Sequence, residues 1–177
     1  MIYVFYIAAA VAAVSTAMVI VQRNVIHALL YLILSLLSVA VVFFVIGAPF
    51  VAALEVIIYA GAIMILFVFV IMMLNLGTQT YRTETGWMRA VSWAGPALLA
   101  AVLLADLAYM FTAAPRAPAA YVRPYAMMVG PKVVGAALFG PYLIGVELAS
   151  VLLLAGLIGA LHLGRSVRAE QEKEKEG

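Results

Sequence analysis

Five long apolar runs alternate with short polar breaks along the chain. The pattern predicts five membrane-spanning α-helices, at about residues 2–21, 28–46, 52–76, 90–111 and 139–163. Each run is long enough to cross a hydrocarbon core of ~30 Å at ~1.5 Å per helical residue. The expected fold class is therefore all-α, a polytopic membrane protein. Residues 1–168 form a single five-helix domain and 169–177 a charged tail whose alternating charges predict a solvated or frayed end. The breaks carry their own logic. Gln22-Arg23-Asn24 interrupts the first apolar run, and Gly47-Ala48-Pro49 supplies a tight turn before the third span. GTQTYRTETGW is polar, with Tyr81 and Trp87 placed as interfacial anchors and Trp93 near the same interface. Pro96 near the start of the fourth span fits a first turn or a local bend. The stretch from Thr112 to Lys132 holds Pro115, Pro118, Pro124 and Pro131, too broken for a helix. VVGAALFG at 133–140 is apolar but too short to span, and Gly140-Pro141 is expected to open the fifth helix.

Within the spans a few polar positions stand out. The third, LEVIIYAGAIMILFVFVIMMLNL from Leu54 to Leu76, contains one formal charge, Glu55. Tyr59 follows four residues later, on the same helical face, and Ala60-Gly61-Ala62 comes next. Three small residues let another backbone approach and weaken the local helix. In the second span, His27, Tyr31, Ser35 and Ser38 share one face. They either hydrogen-bond within and between helices or border a hydrated path. The first span offers two small-residue registers, Ala8/Ala12/Thr16 and Ala9/Ala13/Ala17, for close helix contact.

Composition narrows the class. With 68% hydrophobic and 10% charged residues among 177, the chain is far more apolar than a soluble domain. A net charge of +2 argues for no nucleic-acid partner, and the absence of cysteine excludes disulfides and thiolate metal sites. His27 and His162 have no partner at metal-ligand spacing, so no metal site is expected. The opening MIYVFYIAAA lacks a basic n-region and reads as a retained first span. Seven basic residues (Arg23, Arg82, Arg89, Arg165, Arg168, Lys173 and Lys175) fall on one side of the five-span topology and three (Arg116, Arg123 and Lys132) on the other. The positive-inside rule then puts the N-terminus outside and the C-terminus in the cytoplasm.

That topology places all three intramembrane acids, Glu55, Asp106 and Glu147, in the outer half of the bilayer. Glu55 is near enough to a span end for its carboxylate to snorkel to the headgroups. Asp106 and Glu147 are deeper and need a partner, water or a proton. No lysine or arginine lies inside a span, so any cationic partner would come from another chain. The inner half holds only tyrosine and hydroxyl side chains, too little for a complete relay. The chain is expected to be one part of a larger membrane machine.

The stretches EVIIYAGAIMILFVFVIMMLNL, FGPYLIGVELASVLLLAGLIGA and HALLYLILSLLSVAVVF closely resemble subunit J of respiratory complex I, the proton-translocating NADH:quinone oxidoreductase, over roughly residues 1–165. The resemblance implies a core membrane-arm subunit of the bacterial inner (cytoplasmic) membrane, near the junction with the peripheral arm. It implies a translocase subunit with no catalytic residue and no cofactor of its own, the flavin, iron–sulfur clusters and quinone belonging to other subunits. Implied partners are the lipid bilayer and subunits A, H, K and N, with the lateral helix of subunit L nearby. In such subunits the third span can carry a π-bulge whose rotation opens or closes a water wire. That role would fall here on Tyr59 and Gly61, with Val68 and Phe69 as packing partners, while Glu55 and Glu147 match acidic motif positions. Asp106 matches no motif and enters by topology alone. Alternatives are the equivalent subunit of a complex with another electron donor, such as a reduced deazaflavin or ferredoxin, an independent small channel or transporter, and a purely structural spacer.

Overall fold

The computed structural model describes the backbone of residues 2–74, 86–113 and 129–176, and the side chains of 2–74, 93–112 and 129–164. All regular structure among them is helical: α1 (Ile2–Val21), α2 (Val25–Val45), α3 (Pro49–Leu54), a π-helical stretch (Glu55–Ile63), α4 (Met64–Met73), α5 (Gly86–Ala113), α6 (Pro131–Leu138) and α7 (Leu143–Glu176). Five segments are long and apolar enough to cross a membrane: Ile2–Val21, Val25–Val45, Pro49–Met73, Trp93–Thr112 and Leu143–Gly164. The third combines α3, the π-helical stretch and α4 into one rod.

Local chemistry sets the helix ends. The Asn24 side chain accepts a 3.0 Å bond from the Ile26 amide, so α2 starts at Val25 rather than near 28. Its other end is a Schellman turn. Gly47 takes φ 96°, its amide donates to Phe44 O (3.1 Å), and the Ala48 amide donates to Phe43 O (3.0 Å). Pro49 then occupies the first position of α3, where its missing N–H costs nothing, so the third span begins before 52.

Three further expectations are corrected. The fourth helix starts at Gly86, so Pro96 sits well inside α5 and not in its first turn. The fifth long helix starts at Leu143, and Gly140-Pro141 belongs to the turn that joins it to α6. There a Cβ on Gly140 would lie 2.7 Å from the Ala136 carbonyl oxygen, which demands glycine. The end does not fray after Arg168 but continues α7 through Glu176, as a run of Ala, Glu, Gln and Lys favours. Tyr81 and the prolines at 115, 118 and 124 lie outside the described residues, as does the side chain of Trp87.

Residues 1–130 form one compact unit and 131–177 another. In the first unit α2 is central, touching α1, α5 and the whole third span. Val4 and Ala8 of α1, Val41 of α2, and Leu103 and Met110 of α5 make its core. Lipid is as apolar as these side chains, so close packing and interhelical hydrogen bonds hold the bundle rather than exclusion of water. Of the two small-residue registers in α1, the first is the packed one. Ala8 is fully buried, and the Thr16 and Ser35 hydroxyls bond at 2.7 Å. Ala13 and Ala17 of the other register are exposed. In the second unit the short α6 turns through residues 139–142 into α7, whose described side chains are nearly all exposed.

Candidate functional site

The π-helical stretch Glu55–Ile63 holds three of the singled-out residues. Glu55 opens it and is half-buried, Tyr59 lies at its middle and is 52% exposed, and Gly61 follows near its end. A wider helical turn places the carbonyl five residues back close beneath each side chain. At Gly61 a Cβ would meet the Val56 carbonyl oxygen at 3.0 Å, tighter than ordinary contact. The glycine therefore suits the wide register. Val68 and Phe69 lie in α4 and are exposed. Only Ala52 and Met64 of this rod are buried, and α2 is the helix it packs on. Most of the rod, Tyr59 included, faces away from the other helices of its unit.

The polar face of α2 lies inside the unit. His27, Tyr31, Ser35 and Ser38 are all buried. Ser35 bonds Thr16 and donates to Ala12 O at 3.3 Å, while Ser38 donates to Leu34 O at 2.8 Å. The His27 ring packs edge-on against Trp93 of α5, with centroids 5.5 Å apart. One turn on, the Tyr31 hydroxyl occupies the space a Cβ on Gly95 would take. Sequence reasoning missed this α2–α5 seam. Its signal was Gly95, two residues after Trp93, which marks a backbone open to close approach.

Asp106 is 5% exposed on the inward face of α5, between Leu103 and Met110, and its Oδ2 has no hydrogen-bond partner. Any cation supplied by another chain would have to reach it through the bundle. Glu147 belongs to the second unit and is exposed, its carbonyl accepting a 2.7 Å bond from the Ser150 hydroxyl. The structure thus groups Glu55, Tyr59 and Gly61 on one stretch and sets Asp106 apart on a different helix. Among the described residues no three His, Asp or Glu side chains gather where a metal ion would sit.

Comparison with known proteins identifies the scaffold. Residues 15–163 match the family described as NADH-ubiquinone/plastoquinone oxidoreductase chain 6. NADH-quinone oxidoreductase subunit J of Pseudomonas aeruginosa is 51% identical over 163 residues, covering 92% of this chain and 96% of that one. Its counterpart in Escherichia coli K12 is 48% identical over 170 residues, 94% and 88% of the two chains. That of Buchnera aphidicola from Acyrthosiphon pisum is 43% identical over 174 residues. With five apolar helices and near full-length similarity, the chain belongs to the subunit J family of respiratory complex I and is a membrane-arm subunit of NADH-quinone oxidoreductase.

Proposed function

We propose that this subunit has no catalytic or cofactor-binding role and acts mechanically, its third span switching between π and α registers to open or close a water path between quinone reduction and proton translocation. The observation that carries this reading is the π-helical stretch Glu55–Ile63, with Glu55 half-buried at its start and Tyr59 exposed at its middle. A π register misdirects backbone groups that water can satisfy. Removing one residue's worth of bulge turns the following α4 by about 100°. Val68 and Phe69 would swing with it, exchanging what the rod presents to its surroundings.

The exposed surfaces of the third span and α7 suit burial against other subunits, with A, H, K, N and the lateral helix of L as the proposed neighbours. The proposed orientation has the N-terminus outside and the C-terminus in the cytoplasm, in the bacterial inner membrane. Tyr59→Phe tests the switch because it keeps the ring and removes one hydroxyl. Losing the hydrogen bond that this hydroxyl would make to water in the path, worth ~1 kcal/mol, is expected to lower quinone reduction and pumping together by about fivefold per assembled complex. Wild-type turnover and proton yield in inverted vesicles would remove the gate.

A further inference from the structure

We infer that Asp106 is a proton-holding group, reached by water along the buried polar seam of α2. The inference goes beyond the gating reading and does not depend on the third span.

The carboxyl sits in an apolar environment. Leu103, Leu107 and Met110 of α5 flank it, and the same face packs on Val4 and Ala8 of α1 and Val41 of α2. Of the described titratable side chains on these three helices, Tyr3, Tyr6 and Tyr109 are exposed. His27 and Tyr31 face the bundle interior but lie at the far end of α2, His27 fourteen positions before Val41, or about 21 Å along the axis. Among the described residues no charge supports a bare carboxylate there, so it carries a proton or recruits water. The carboxylic acid in turn needs an acceptor for its O–H.

Water can meet that need because the seam supplies unused hydrogen-bonding capacity. Ser38, three residues before Val41, is fully buried and donates to Leu34 O, which leaves its oxygen free to accept. Ser15 of α1 is fully buried with no partner for its Oγ. Ser15 Oγ and Asp106 Oδ2 are buried oxygens without partners in one three-helix bundle. Ser15 lies seven positions, or about 10 Å along the axis, beyond Ala8 of the Asp106 cluster, so a chain of internal waters would be needed to join them. Exchange there is a simple swap. The carboxyl proton passes to a water oxygen, and another proton from the same water chain replaces it.

Infrared difference spectra of the intact complex, wild type against Asp106→Asn, test this. Expected at neutral pH is a carboxylic-acid C=O band that is present in wild type, lost in the variant and shifted in D2O. No such band means an ionised group, and a band unmoved by D2O means a sealed proton. Either result overturns the inference. Ser38→Ala is expected to slow the D2O shift severalfold, and an unchanged rate overturns the route along α2. Should Asp106→Asn fail to assemble, Asp106→Glu must displace the band, and a spectrum identical to wild type refutes the assignment. Turnover plays no part in these readouts, so failure of the gate leaves them interpretable.

Discussion

Gly61→Ala is the smallest change that sets the two registers of the third span against each other. The added methyl would sit 3.0 Å from the Val56 carbonyl oxygen, five residues back, so that oxygen must yield by a few tenths of an ångström. In an α-register the bonded carbonyl is four residues back, and the methyl is ordinary. Alanine's entropic advantage over glycine applies to both helical forms and largely cancels between them. What remains is the crowding term. Overpacking costs about 1–3 kcal/mol, and a single carbonyl able to tilt belongs at the low end. At ~1 kcal/mol the ratio of π to α falls about fivefold. Because the chain contains no cysteine, Phe69→Cys gives this subunit one thiol on α4. Its labelling in assembled complex reports the ~100° turn of that segment. The expected result is an altered labelling rate together with lower NADH:quinone turnover per assembled complex. Unchanged labelling and unchanged turnover would show that contact with Val56 does not govern the register.

Glu147→Gln keeps size and hydrogen bonding at an exposed site and removes the charge; an assembled complex with reduced proton pumping per NADH oxidised is expected, and an unchanged yield in inverted vesicles would leave Glu147 a structural role only. Gly95→Ala drives a methyl into the Tyr31 hydroxyl and is expected to cost about 1–3 kcal/mol, seen as less assembled complex on native gels. Adding Tyr31→Phe removes the clashing oxygen and is expected to recover part of that loss, although the ring carbon at 3.3 Å stays close. A double variant no better than Gly95→Ala alone would place the damage elsewhere.

The five spans were legible because lipid imposes a length of continuous apolar sequence. Their ends were less so, since hydropathy does not see caps. Asn24 and Pro49 are start signals, but the apolar runs by themselves begin only near 28 and 52. Which face of each helix packs was harder still. α5 is apolar nearly all round, so nothing in its periodicity says whether Asp106 points to lipid or into the bundle. Only the packing of α1 and α2 against it decides that. The polar face of α2 was visible by spacing alone, but the partners Thr16 and Trp93 came from other helices. In the third span, Ala60-Gly61-Ala62 marked a weak place in the helix. The extent of the π register, from Glu55 to Ile63, depends on backbone bonding that residue type does not encode.

The nearly unburied third span also bears on the state of this chain before it meets its neighbours. A free copy holds a glutamate, a tyrosine and π-helical backbone on a rod that packs on α2 within its unit and whose side chains are mostly exposed. Lipid cannot satisfy those groups, although Glu55 lies near a span end, where a carboxylate costs less than the about 2.5–3.5 kcal/mol of a helix centre. Newly made subunit is therefore the costly form and assembled subunit the relieved one. A partner that brought hydrogen-bonding groups against this face would remove that cost, so the stretch favours association over the free state.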